Sequence, residues 1–309
     1  MALFIGIQLF DQLLVAGFQD RIKLLNEIRS CGKGNNIWRV KRIHADIVKK
    51  DLIKYTPDIA AALISKYAKC GALDKAQDVF ERLLTRDVTC WNALMTGYIQ
   101  HEFHLMALNL FEDMKIEGVK PDRVIYLCIV KACGHTQILE LGRLIHAEII
   151  KDGLEEDLTI VNTLIDMYAK CGSLVDARKV FETLPNRSVV SWASMLAGHV
   201  IDGDGFVAFD LYMNMEQEGI TPTKFVISSV LKACGQMCSL YHGKLLHSYA
   251  IELGLESNLV VSNGLIDMYI KCRSMSESYK LFNMSIDQDE VTLGSIMSGY
   301  VQDDKSLIA

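Results

Sequence analysis

One short motif returns along this chain at a fixed interval. YAKCG occupies residues 67–71 and returns at 168–172, and the related YIKC stands at 269–272, so the step is 101 residues each time. KACG at 131–134 and 232–235 keeps the same step. An internal repeat of this length indicates a stack of similar units, in which each unit packs on its neighbours, rather than a chain folded around one central core.

The 101-residue unit divides further, into blocks of 35, 35 and 31 residues. Residues 1–20 are then the end of an earlier block, and residues 290–309 the first half of a later one. We therefore predict a single repeat array over residues 1–309 instead of separate domains. The complete blocks cover 21–55, 57–87, 88–122, 123–157, 158–188, 189–223, 224–258 and 259–289.

Block 158–188 predicts a pair of helices. Its apolar residues recur at helical spacing from Ile160 to Tyr168, Gly172 stands where a left-handed C-cap is favoured, and a second periodic run ends before Pro185. Neither helix can bury its apolar stripe alone, so the pairs must stack. We predict an all-α fold: an α-solenoid, a right-handed superhelix of helix-turn-helix repeats whose first helices line the concave side.

Composition narrows the classes of function. Hydrophobic residues make up 50% of the chain and the mean hydropathy is +0.18, which stacked helices explain without a membrane. The apolar stretch 1–18 contains Asp11 and lacks a basic start, so it predicts neither a membrane span nor a signal peptide, and no transit peptide is visible. The net charge of −6 argues against nucleic-acid binding if only the bulk charge is considered.

A polar stripe along the first helices weakens the argument from bulk charge against nucleic-acid binding. Residues 5, 9 and 13 of each first helix are four apart and therefore share one face. Lysine recurs at position 13 of the 31-residue blocks and at position 9 of two longer blocks, so an acidic chain can still present one basic face. The alternative is that these lysines are ordinary solvated surface residues. The stripe lysines are Lys69, Lys131, Lys170, Lys232 and Lys271.

The nine cysteines include no CxxC pair. Six of them recur at equivalent block positions, which is typical of small buried packing residues rather than of disulfides or metal ligands. We therefore predict a reducing compartment, no metal and no cofactor. The recurrent cysteines are Cys31, Cys70, Cys133, Cys171, Cys234 and Cys272.

Block 88–122 resembles a known family. Its WN near the start, its GY, its LF..M and its final GVKPD are markers of the 35-residue pentatricopeptide repeat. The cycle of 35, 35 and 31 residues resembles the plant subclass that alternates P, L and S repeats, in particular members without the C-terminal E or DYW extension. P blocks start at 88, 189 and 290, L blocks at 21, 123 and 224, and S blocks at 57, 158 and 259.

The resemblance implies binding of single-stranded RNA at about one base per repeat, read by residue 5 and the last residue of each repeat. In the family, Asn with Asp favours U and Asn with Ser favours C. Let n be the nucleotide bound by block 88–122. Blocks 158–188 and 259–289 lie two and five repeats later, so they bind nucleotides n+2 and n+5. The expected sequence is then U at n, C or U at n+2, and U at n+5. The implied reading pairs are Asn92 with Asp122, Asn162 with Ser188, and Asn263 with Asp289.

The resemblance also assigns supporting roles. Residue 2 of a repeat would pack on the base faces, and the stripe lysines would face phosphates. Other repeats depart from the code, because Ala61 and Ala193 replace the amide and the L blocks carry residues that the simple code does not cover. The implied base-packing residues are Thr159, Val190 and Val260.

The implied function is that of a monomeric RNA-binding factor in a mitochondrion or chloroplast. It would mark a transcript for C-to-U editing by a deaminase acting in trans, without being an enzyme itself and without a membrane partner. The alternatives are processing or stabilisation of a transcript, a truncated product without function, and a protein-binding scaffold. A tetratricopeptide scaffold has a period of about 34 residues, which the 35, 35 and 31 cycle does not fit.

The segment His146-Ala-Glu148 mimics the HxE of a zinc deaminase. Such a site also needs a PCxxC further along the chain, and the sequence contains none. His44 and His247 occupy the same block position without the glutamate. We therefore predict that these histidines are structural.

Overall fold

The computed structural model describes residues 21–30, 37–49 and 56–284, with isolated positions between 290 and 301. Residues 21–30 are helical, and no described residue lies in a β-strand. The helices with defined bounds are α1 (Ile37–Lys49), α2 (Pro57–Lys69), α3 (Leu73–Glu81), α4 (Val88–Gln100), α5 (His104–Ile116), α6 (Arg123–Thr136), α7 (Leu139–Lys151), α8 (Leu158–Lys170), α9 (Leu174–Glu182), α10 (Val189–Asp202), α11 (Gly205–Gln217), α12 (Lys224–Gln236), α13 (Leu240–Glu252), α14 (Leu259–Lys271) and α15 (Met275–Met284).

These helices form two compact units. The first holds the described residues up to Thr136 together with Ala147–Leu154, and the second holds Gln137–His146 with the described residues from Glu155 onward. In the first unit α2 packs on α3 and on α4, and α4 packs on α5 and α6. In the second unit α8, α10, α12 and α14 pack on one another in sequence, each also on the second helix of its own repeat. The predicted all-α solenoid of helical pairs is confirmed.

The turn between paired helices follows the predicted chemistry. Gly172 has a φ of +73°, the left-handed conformation that glycine adopts at little cost. The N–H of Ser173 donates to the carbonyl of Tyr168 at 2.9 Å and closes the end of α8. No helix in the described ranges is long and apolar enough to cross a bilayer.

Two glycines stand where successive first helices approach each other closely. A Cβ added to Gly97 of α4 would lie 2.7 Å from the Ala68 Cβ on α2. A Cβ added to Gly198 of α10 would lie 2.8 Å from the Ala169 Cβ on α8. Carbon atoms without a bond between them are normally about 3.5–4.0 Å apart, so a side chain here would push the helices apart. This explains why glycine stands at both positions, which are 101 residues apart in the chain.

Five of the six recurrent cysteines lie in the described residues, and all five are free thiols. Cys133 and Cys234 are buried in the core of their repeats, as predicted, whereas the other three are only half-buried. Burial raises the pKa of Cys234 to about 12, so its thiol stays protonated. Cys31 lies outside the described residues. The three half-buried cysteines are Cys70, Cys171 and Cys272.

His199 is buried and has no hydrogen-bond partner among the described residues. In the first unit the equivalent Tyr98 donates its hydroxyl to Gln77 at 2.8 Å. His199 is only 8% exposed, and neither ring nitrogen bonds to a described group. Arg178 occupies the repeat position that Gln77 holds in the first unit. Because this repeat has histidine where the first unit has tyrosine, two ring nitrogens are left without partners among the described residues in the core of the second unit.

We expect His199→Tyr to raise the free energy of unfolding by about 1–3 kcal/mol, because it removes the unpaired ring nitrogens and introduces a hydroxyl that can accept from the Arg178 guanidinium, which only donates. Burial, and then the Arg178 guanidinium, lower the pKa of His199 below its ordinary 6.5. The unfolded chain therefore takes up the proton first, and the native state loses stability as the pH falls below 6.5. Urea unfolding at about pH 7 and about pH 5 should show that the stability gained by His199→Tyr over the wild type is larger at the lower pH. Tyr98→His is the reverse control, and a stabilising effect of that change would contradict the prediction.

Candidate nucleic-acid interface

The first helices of repeats 57–87 and 88–122 form a groove of about 310 Å³ within the first unit. Its lining contains positions 5, 9 and 13 of both helices, the positions predicted to form one polar stripe. The groove therefore brings a position-5 amide and a position-13 lysine onto one surface, together with Thr89 from position 2 of its repeat. The stripe residues are Ala61, Ser65, Lys69, Asn92, Thr96 and Gln100.

The first predicted reading pair is in direct contact. The amide nitrogen of Asn92 donates to Asp122 Oδ2 at 2.7 Å. The other oxygen of Asp122 accepts the backbone N–H groups of Val124 at 2.9 Å and Ile125 at 3.0 Å, which caps α6. Because a carboxylate only accepts, Asn92 must turn its nitrogen towards Asp122. Its oxygen Oδ1 is shielded from solvent and has no hydrogen-bond partner among the described residues.

The second predicted pair is joined through a third residue. Asn162 Oδ1 accepts a hydrogen bond from the hydroxyl of Ser191 at 2.7 Å. Ser188 caps α10, and its side chain contacts Ser191. The sequence analysis missed Ser191, although serine at 188 and 191, three residues apart before an apolar run, is a capping pattern that points to it.

The third predicted pair is described only in part. Asn263 lies on α14 at the position that Asn162 holds on α8. Asp289 lies outside the described residues. Reading of a base by Asn263 with Asp289 therefore stays a prediction.

The predicted base-packing residues are accessible. Val190 is 54% exposed and Val260 is 38% exposed, and Thr159 is exposed as well. The structure adds two residues that the sequence analysis did not name: Val124 and Phe225, each the second residue of a first helix and each exposed. Apolar side chains at this position are therefore open to contact in successive repeats, and the role in base packing stays a prediction.

The five stripe lysines differ in their electrostatic surroundings. The ammonium of Lys170 is 2.7 Å from Asp166, and that of Lys271 is 2.8 Å from Asp267, one helical turn earlier in each case. These two charges are partly neutralised within the protein. The other three lysines are exposed and form no ion pair or hydrogen bond with a described residue: Lys69, Lys131 and Lys232.

The histidines of the L blocks have structural contacts. The Nδ1 atom of His146 lies 2.9 Å from the hydroxyl of Tyr168, and His44 and His247 make the equivalent contacts to their tyrosines at 2.9 Å. Burial lowers the pKa of His146 and raises the pKa of Tyr168 to about 12. Glu148 forms an ion pair with Lys115 at 2.8 Å. Within the described ranges, no three His, Cys, Asp or Glu side chains are grouped so that they could hold a metal.

Models of one repeat family match most of this array. The model described as PPR repeat family matches residues 86–135, and that described as pentatricopeptide repeat domain matches 185–237. A third, described as PPR repeat, matches 61–88, 159–189 and 260–288. Together these matches span more than half of the chain. The chain belongs to the pentatricopeptide repeat family.

Curated pentatricopeptide repeat proteins of Arabidopsis thaliana are similar in sequence. One, a chloroplastic protein, is 35% identical over 268 residues, which are 86% of this chain and 50% of that protein. Another, a mitochondrial protein, is 34% identical over 260 residues, which are 84% of this chain and 25% of that protein. The chain therefore spans half or less of the length of these relatives.

Solved pentatricopeptide repeat structures share the fold. PPR10 in complex with an 18-nt psaJ RNA element has a TM-score of 0.76 and 17% identity, covering 91% of this chain and 42% of PPR10. PPR10 from maize has a TM-score of 0.57 and 16% identity, covering 88% of this chain and 45% of PPR10. At these identities the likeness establishes the α-solenoid fold.

Proposed function

We propose that this chain binds single-stranded RNA sequence-specifically in a plant organelle. The observation that carries the proposal is the contact of 2.7 Å between Asn92 and Asp122, at the edge of a groove that also presents Lys69. Two further findings support it. PPR10, which shares the fold, was solved with an RNA element, and the similar Arabidopsis proteins are named as chloroplastic or mitochondrial.

The orientation of Asn92 favours uracil. Uracil has an N3–H donor between two carbonyl acceptors, whereas the N3 of cytosine is an acceptor. Asn92 Oδ1 is shielded from solvent in the free chain, so RNA binding would have to uncover it. It would then accept from the N3–H of uracil, while the second hydrogen on Nδ2 would meet a carbonyl oxygen. Cytosine would set two acceptors against each other and leave both unpaired, at a cost of about 1–3 kcal/mol. The repeat 88–122 should therefore select U at n.

The role proposed for this binding is to direct C-to-U editing by an enzyme acting in trans. The cycle of 35, 35 and 31 residues supports it, because this cycle resembles the P, L and S subclass. The partners are then a single-stranded organellar RNA and a separate deaminase, and the chain acts as a monomer without a cofactor.

Unbiased selection of RNA by the purified chain tests the proposal. We expect enrichment of sequences with U at n, C or U at n+2, and U at n+5. No enrichment at low salt would contradict RNA binding and favour a protein-binding scaffold. In a plant without the protein, a cytidine in a transcript that carries the selected motif should stay unedited. A change confined to the transcript ends would instead support a role in processing or stabilisation.

The unequal lysines give a further prediction. Lys232→Ala should lower affinity about fivefold, because a charge-assisted phosphate contact contributes about 1 kcal/mol or more. It should also reduce the slope of log affinity against log salt by about 0.7. Lys170→Ala should have a smaller effect, since Asp166 already holds that ammonium at 2.7 Å. Titrations of RNAs of different sequence should show the same loss for each RNA, and equal effects of the two substitutions would contradict the prediction.

A further inference from the structure

Ser191 contacts the position-5 amide of repeat 158–188. It is the third residue of α10, in the following repeat, and it is only 1% exposed. Its hydroxyl lies 2.7 Å from Asn162 Oδ1 and 3.0 Å from Ser188 Oγ. Ser191 therefore stands between the two residues that the family pattern pairs.

The hydrogen-bonding capacity of Ser191 determines which end of the amide it meets. A hydroxyl has one hydrogen and two lone pairs. Ser191 Oγ accepts the backbone N–H of Ser188 at 3.2 Å, and the Ser188 hydroxyl can supply the second hydrogen. Ser188 Oγ in turn accepts the backbone N–H of Ser191 at 3.2 Å. The hydrogen of Ser191 is then left to donate, and Asn162 can accept it only through Oδ1.

Repeat 88–122 holds its amide the other way round. The Asp122 carboxylate can only accept, so it binds the nitrogen of Asn92, at 2.7 Å. The residue equivalent to Ser191 is Ile125, which has no hydroxyl. Asn92 and Asn162 are the same residue at the same repeat position, and their neighbours orient them oppositely.

We propose that Ser191 is a specificity-determining positioning residue for the base at n+2. By holding Oδ1 it directs both hydrogens of the Asn162 nitrogen away from Ser191, so that they are available to the bound base. Cytosine has acceptors at N3 and O2 for these donors, whereas uracil presents a hydrogen at N3. Ser191 therefore makes repeat 158–188 prefer C over U. This inference rests on the proposed RNA binding.

The test uses the full chain and a set of single-stranded RNAs. Each RNA carries uridine at n and n+5, one of the four bases at n+2, and adenosine elsewhere. The wild type should bind the RNA with C at n+2 about tenfold more tightly than the RNA with U, the effect of one mismatched buried hydrogen bond. Ser191→Ala removes the donor, lets the amide turn, and should reduce this ratio to about one. Ser191→Thr keeps the hydroxyl and should retain the preference.

The ratio of the affinities for C and for U at n+2 distinguishes a changed orientation of the Asn162 amide from misfolding. A misfolded variant loses affinity for all four RNAs alike, so its ratio does not change. A ratio in Ser191→Ala equal to that of the wild type would overturn the inference and leave RNA binding intact. A wild type that binds these RNAs without preferring C at n+2 would overturn it as well. Failure of the wild type to bind any of them would overturn both the inference and the proposed function.

Discussion

Replacing Asn92 by threonine, with Asp122 kept, should move the preferred base at n from U towards G. Threonine lacks the amide oxygen that we propose accepts from the N3–H of uracil, so the RNA with U at n should lose about 1–3 kcal/mol of binding free energy. The direction towards G is what the family resemblance implies for threonine with aspartate. The measurement compares four RNAs that differ only at n, bound to the wild type and to Asn92→Thr.

The other reading positions serve as the internal control for this substitution. Asn162 and Ser191 lie in the second unit, and Asn92 lies in the first, so the preference at n+2 should not change. A general loss of folded protein would lower affinity for every RNA and leave the order of preference as it was. Identical preferences at n in both proteins would reject Asn92 as a base-reading residue.

Replacing Gly198 by alanine should lower the free energy of unfolding by up to about 2 kcal/mol, the difference between an overpacking cost of about 1–3 kcal/mol and the helix preference of alanine. The new Cβ would lie 2.8 Å from the Ala169 Cβ and 2.9 Å from Leu174 Cδ2, and α10 and α8 would have to separate. Alanine favours a helix over glycine by about 1 kcal/mol, and this amount is subtracted from the overpacking cost. Urea unfolding measured by circular dichroism gives the change in stability.

Gly264 offers a matched control within another first helix, α14. A Cβ there would meet its nearest neighbours, on Leu231 and Ser228, at 3.4 Å, which is ordinary van der Waals contact. Gly264→Ala should therefore be neutral or stabilising by up to about 1 kcal/mol. Equal losses of stability at Gly198 and Gly264 would show that close helix approach is not the reason for glycine at 198.

Local signals were sufficient to predict the helical pairs. The apolar period and a glycine such as Gly172 act within one repeat, so the fold class follows from residues close together in the chain. The four-residue spacing put positions 5, 9 and 13 on one stripe because helix geometry alone relates them. The ion pair of Lys170 with Asp166 has the same spacing and could have been predicted too. It follows from the acidic residue at position 9 standing one turn before the lysine at position 13 of the same helix.

Contacts between repeats could not be predicted in this way. Asn162 and Ser191 are 29 residues apart, and their hydrogen bond of 2.7 Å exists only because α10 packs beside α8. A hydrogen bond is short-range and directional, so a shift of about 1 Å between helices would break it. The sequence by itself determined the repeats, their helices and the polar stripe. Only the packing of one repeat on the next decided which way each asparagine is held and why Gly198 has no side chain, because both depend on distances between helices that no spacing along the chain specifies.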